Sequence, residues 1–191
     1  MRTVVCFGDS NTWGYVPGSD AERYPREVRW PVRLQHALGE GFEVIAEGLN
    51  GRTAAVESPV EDGRSGVTYL LPCLRSHKPV DLVVVFLGTN DVNFLDDDLV
   101  ARSVGRLVKL ARSSETGPGG GAPQVLVVCP PPFAGHALGP FYAEACAALD
   151  CELLDLDGIA AYTGHDPEHL DAAGHAAVAV AVEERARRLL P

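Results

Sequence analysis

Asp81-Leu82-Val83-Val84-Val85-Phe86-Leu87, followed at once by Gly88-Thr89-Asn90-Asp91, decides the fold. The run is short, apolar almost without a break and rich in β-branched side chains. It reads as a strand covered on both faces. Gln124 to Cys129 (QVLVVC) repeats that pattern, and Thr3 to Phe7 (TVVCF), Phe42 to Ala46 (FEVIA) and the weaker Glu152 to Leu156 (ELLDL) resemble it. Helix-like segments lie between and after them: Val28 to Leu38, Val67 to Ser76, Leu99 to Ser113, Pro140 to Leu149 and Ala172 to Leu189. In the third of these, Leu99, Val100, Val104, Leu107, Val108 and Ala111 form one apolar stripe, with Arg102, Arg106 and Lys109 elsewhere. Strands alternating with helices predict an α/β fold, a parallel sheet sandwiched between helical layers.

The chain has 191 residues, a length that suits one domain, 1–191, with one sizeable core. Its 16 basic and 26 acidic residues give a formal charge of −10, which argues against nucleic-acid backbones and anionic membranes as partners. No apolar run is long enough to span a bilayer, and no signal-peptide pattern precedes the first strand. The five cysteines (Cys6, Cys73, Cys129, Cys146 and Cys151) are odd in number and lack metal-ligand spacing. Reduced thiols and a cytoplasmic location are expected. The Gly-rich stretch from Ser113 to Pro123 lacks the ending of a phosphate loop and reads as a surface connector.

Ligands in open parallel sheets bind beyond the carboxyl ends of the strands. There this sequence places Gly8-Asp9-Ser10-Asn11, Gly48-Leu49-Asn50-Gly51-Arg52-Thr53, Gly88-Thr89-Asn90-Asp91 and, before the last helix, Asp166-Pro167-Glu168-His169. Together they supply the parts of an acyl-transfer site. Ser10 is the candidate nucleophile and needs a base. His169 suits that role by its intrinsic pKa, and Asp166, three residues earlier, can orient its ring. The backbone amides of Ser10 and Gly51 and the carboxamide of Asn90 are candidate oxyanion donors, with Gly48 the alternative to Gly51. Asp9 and Asp91 read as loop braces, Asp171 as the cap of the last helix, and Asp96-Asp97-Asp98 as acidic residues at a helix start. His165 sits too close to Asp166 to share its turn, and His175 reads as a partly exposed helix residue. Arg52 is expected in a structural salt bridge, with an anionic substrate group as the alternative.

These four blocks resemble those of the SGNH, or GDSL-type, serine hydrolases, in the same order along the chain. Trp13-Gly14, Arg29-Trp30, Glu47-Gly48-Leu49 and Arg52-Thr53 are similar to the branch of small arylesterases and acyltransferases. The resemblance implies a three-layer α/β/α sandwich with a five-stranded parallel sheet in the flavodoxin-like order 2-1-3-4-5. It implies a small acyl ester as substrate, handled without metal or cofactor, and it allows a homo-oligomer. Position 11 is Asn where the family name implies Leu, so Asn11 is expected to affect substrate fit. Asn11, Trp13 and Phe133 are candidate pocket residues, with Tyr15 and Trp30 as further aromatic candidates; core packing is an equal expectation for Trp30. The same triad would serve a carbohydrate acetylesterase, a lysophospholipase or a thioesterase. An α/β domain of this size can also be a non-catalytic binding module, but no Rossmann or Walker glycine pattern follows the first strand.

Overall fold

Side-chain alternation along the central strands sorts the core into two halves. The computed structural model, which describes residues 1–57 and 61–191, has a five-stranded parallel sheet. Its strands are β1 (Arg2–Gly8), β2 (Phe42–Gly48), β3 (Leu82–Phe86), β4 (Gln124–Cys129) and β5 (Glu152–Asp155), in the spatial order β2-β1-β3-β4-β5. Val5, Phe7, Val83, Val85, Val125 and Val127 face one helical layer. That layer is α3 (Gly66–His77), α4 (Asp97–Arg112) and α5 (Gly139–Leu149). Val4, Cys6, Leu82, Val84, Phe86, Leu126 and Val128 face α2 (Trp30–Leu38) and α6 (Ala172–Leu189). The chain is therefore the expected three-layer α/β/α sandwich, its central strands buried on both faces.

The helix ends follow their local chemistry. The Asp171 carboxylate accepts from the Gly174 amide at 2.7 Å and caps α6 as expected. Asp97 and Asp98 lie in the first turn of α4 and Lys109 and Arg112 in its last, matching the helix dipole. Leu99 departs from the predicted stripe: it is 41% exposed, whereas Val100, Val104, Leu107, Val108 and Ala111 are buried. His175 also departs from expectation. It is fully buried on the α2 side, where the Trp30 amide donates to its Nδ1 at 3.4 Å. Burial lowers its pKa to about 4, so the ring is neutral. Trp30 itself is a core residue. Among the described residues no helix is long and apolar enough to cross a membrane.

Two short elements went unforeseen. Directly after β1, a single helical turn α1 (Ser10–Trp13) is capped by Asp9 and ended by Gly14 in the left-handed conformation. Before α6, β6 (Tyr162–Thr163) and β7 (Asp166–Leu170) form a small antiparallel pair absent from the predicted strands. Gly48, at the end of β2, lets α1 pack against the sheet. A Cβ there would meet the backbone nitrogen of Trp13 at 2.2 Å and the carbonyl carbon of Thr12 at 2.6 Å. Gly48→Ala is therefore expected to cost about 3 kcal/mol, as overpacking against backbone does. Urea unfolding of the variant checks this; a midpoint equal to the native one would contradict it.

Candidate active site

Ser10 opens α1 at the carboxyl edge of the sheet and is nearly buried. The turn is held by Asp9, whose Oδ1 accepts from the Asn11 amide at 2.9 Å and whose carbonyl accepts from Thr12 and Trp13. The Ser10 Oγ lies 3.0 Å from His169 Nε2. The other ring nitrogen, Nδ1, lies 3.0 Å from both oxygens of Asp166. β7 explains this spacing: one short strand carries both residues, and Asp166 folds back onto the ring three residues later. Asp166 also accepts from the Gly18 amide at 2.8 Å and the Glu168 amide at 3.2 Å. Burial acts to raise its pKa, but those amides and His169 outweigh it and hold the carboxylate below its usual range.

Asn11 has a different place from the one expected. It is 1% exposed, and its carboxamide spans the backbone on either side of His169. Its Nδ2 donates to the Glu168 carbonyl at 2.9 Å, and its Oδ1 accepts from the Leu170 amide at 2.9 Å. It is thus a clamp between α1 and β7, with its polar atoms turned to backbone. The loop after α1 adds two contacts that the sequence did not reveal. The Gly18 amide reaches Asp166, and the Tyr15 ring stacks on His169 with centroids 4.2 Å apart and planes at 22°. Trp13 is half-buried beside Tyr15, under the Arg23 guanidinium at 4.7 Å. Phe133 is buried in the core against Tyr162 and His136.

The loops after β1, β2 and β3 are tied to one another. The Leu49 amide and the Arg52 guanidinium both donate to the Gly8 carbonyl, at 3.1 and 2.9 Å. Arg52 also donates to the Glu47 carbonyl and lies over the Phe7 ring at 4.3 Å. It makes no salt bridge among the described residues, so the expected ion pair gives way to backbone and ring contacts. Asn90 Nδ2 donates to the Arg52 carbonyl at 3.0 Å, which leaves its second hydrogen for another acceptor. Asp91 braces across loops, its two oxygens accepting from the Ala54 amide at 2.9 Å. Gly51 adopts φ +71° in a tight turn and is exposed. Among the described residues the amides of Ser10 and Gly51 have no backbone acceptor. Gly48, by contrast, pairs with Gly8 inside the sheet and serves packing.

Asp9 and Asp91 are fully buried. Burial, opposed by the Asn11 amide and reinforced by Asp91, raises the Asp9 pKa to about 7, and burial raises that of Asp91 to about 6. Elsewhere, Glu47, Cys73 and His77 bring ligand-type atoms within 4.8 Å of one another. His77 Nε2 already lies 2.8 Å from Glu47 Oε1. Cys73 is buried, and burial and Glu47 push its thiol up to about 12 with the Arg52 cation nearby. A protonated thiol beside a guanidinium fits a cation poorly, and the contact between His77 and Glu47 accounts for the group. A groove of about 460 Å³ between α4 and α5, lined by Leu95, Leu99 and Leu149 among others, contains none of the residues around Ser10.

The model of the GDSL-like lipase/acylhydrolase family matches residues 6–177. The chain belongs to that family. This GDSL-like protein is similar over its whole length to the native aryl esterase of M. smegmatis, at 35% identity and a TM-score of 0.92, covering 100% of both chains. It is similar to a carbohydrate acetylesterase family member from Sinorhizobium meliloti, at 37% identity and a TM-score of 0.91, covering 100% of this chain and 99% of the other. A second carbohydrate acetylesterase from that organism, Est24, shares 33% identity at a TM-score of 0.93, with both chains fully covered. A search of curated protein sequences returns no match.

Two outcomes follow for the GDSL-like protein. Asn11→Leu leaves the Leu170 amide and the Glu168 carbonyl without their partner, and is expected to cost about 2 kcal/mol. Equilibrium unfolding checks it; an unchanged midpoint would contradict the clamp. Asp9 has a folded pKa raised above the unfolded 3.8, so the folded state holds the proton longer and stability is lost as pH rises from about 4 to about 7. Asp9→Asn keeps the acceptor for Asn11 and removes that loss. Its stability relative to the native protein is expected to rise across this window and level off above it, as read by urea unfolding at several pH values. A difference independent of pH would contradict the buried carboxyl.

Proposed function

We propose that this protein is a serine esterase that cleaves small acyl esters through an acyl-Ser10 intermediate. One observation carries the reading: Ser10 Oγ, His169 and Asp166 form a continuous hydrogen-bonded chain, with 3.0 Å at each end of the imidazole. Asp166, held as a carboxylate, accepts from Nδ1–H and so fixes the tautomer that leaves Nε2 free to take a proton. Ser10 Oγ attacks the ester carbonyl carbon as His169 Nε2 takes its proton. The carbonyl π electrons move to oxygen, and the unused Ser10 and Gly51 amides and the second Asn90 hydrogen are the donors proposed for that charge. Collapse expels the alcohol, which leaves with the proton from His169. Water then repeats the sequence on the acyl-serine, and the acid departs. Where another alcohol enters in place of water, the same steps transfer the acyl group.

The family membership and the aryl esterase relative support carboxylic ester hydrolysis. The two carbohydrate acetylesterase relatives support acetylated carbohydrates as the second substrate class to test. Hydrolysis of p-nitrophenyl acetate measures the reading directly. Ser10→Ala is expected to fall to the background rate, and Asp166→Asn to lose about 10³-fold or more in kcat. Native rates in Ser10→Ala would remove Ser10 from the chemistry and overturn the proposal.

A further inference from the structure

The segment between α1 and α2 holds three arginines around one cavity. Arg23, Arg26 and Arg29 line a space of about 380 Å³, completed by Thr12, Pro31, Val32 and Ala46. The surroundings are unusual for this chain, which carries 26 acidic residues against 16 basic ones. Among the described residues, none of the three arginines has a carboxylate within salt-bridge distance.

Two of the three are fixed in place. Arg23 donates its Nε to the Trp13 carbonyl at 2.8 Å and lies over the Trp13 ring. Arg29 donates its Nε to the Tyr24 carbonyl at 2.7 Å, and its side chain packs against Gly14. With Nε engaged, the terminal nitrogens of both guanidinium groups remain for another acceptor. Arg26 is exposed and makes no side-chain hydrogen bond among the described residues. Burial, and then Arg29 and Arg26, lowers the pKa of Arg23, and burial, and then Arg26, lowers that of Arg29. Glu27 acts on Arg29 in the opposite sense. Like charges crowded together with no salt-bridge partner among the described residues favour whatever anion can enter between them.

We infer that this cavity is a binding site for a phosphate monoester on a small apolar body. Three guanidinium forks offer more donors than the two oxygens of a carboxylate can accept, whereas a phosphate dianion brings three oxygens and twice the charge. Pro31, Val32 and Ala46 supply the apolar wall. Thr12 adds wall rather than a donor, because its hydroxyl lies against Gly8. The overall charge of −10 opposes polyanions approaching from a distance, but it does not cancel a local cluster. The site is built on the loop whose Gly18 amide and Tyr15 ring contact Asp166 and His169. It involves neither Ser10 nor His169, so it stands apart from the esterase reading.

Calorimetric titration of the full chain at low salt tests it, with phenyl phosphate and benzoate as probes that share one ring. Phenyl phosphate is expected to bind saturably at one site, and benzoate at least about tenfold more weakly. Arg26→Gln is expected to weaken phenyl phosphate about tenfold, the loss of one charge-assisted contact. Arg26 is exposed and supports no other residue, so this variant folds as the native protein does. Lys109→Gln on α4 and Ser10→Ala are expected to bind as the native protein does. No saturable binding to native protein, or binding by both Arg26→Gln and Arg23→Gln as tight as that of the native protein, would overturn the site. Benzoate binding as tightly as phenyl phosphate would overturn the assignment to phosphate.

Discussion

The carboxamide of Asn11 grips the backbone on both sides of His169, and the geometry of the site depends on that grip. Ser10 belongs to the turn after the first strand and His169 to a two-stranded pair just before the last helix, 159 residues away. Nothing in either local segment sets their separation. Two hydrogen bonds of 2.9 Å from a buried side chain adjacent to Ser10 do so. Because Asn11 is anchored in turn by Asp9, one chain of contacts runs from the end of β1 through the nucleophile turn to the imidazole. An apolar side chain at position 11 would fill similar space but could satisfy neither backbone group.

Around that clamp the protein concentrates buried charge. Asp9, Asp91 and Arg52 sit under the loops, where burial works against every ionised form. Such groups are poor contributors to stability. Their value here is positional. Arg52 joins the ends of β1 and β2, and Asp91 joins the loop after β3 to the one after β2. The result is a set of hydrogen bonds that ties together the loops carrying Gly51 and Asn90, the donors proposed for the oxyanion.

The layered fold was legible because it is written in strand alternation. Val4 and Val5, or Val84 and Val85, go to opposite helical layers as a period of two demands. The polar loops at one sheet edge were legible for the same reason, since the end of a buried strand marks where they must lie. Elements held by side chains were not. α1 is one turn long and depends on the Asp9 cap, and β7 contains Pro167, which argues against a strand until the clamp by Asn11 is seen. The stacking of Tyr15 on His169 and the burial of His175 are products of tertiary packing, and no local pattern announces either. Nor does the sequence announce what holds Asn11 and Phe133 in place. One is spent on backbone and the other on the core.

In the proposed reaction Ser10 carries the acyl group. Acid quenching of the native protein during turnover of p-nitrophenyl acetate, followed by peptide mass mapping, tests it most directly. One acetyl group on the peptide containing Ser10, released again by alkaline hydroxylamine, is the predicted result. An acetyl group that maps to another residue, or a quenched protein that carries none although the ester is consumed in a pre-steady-state burst, would contradict it.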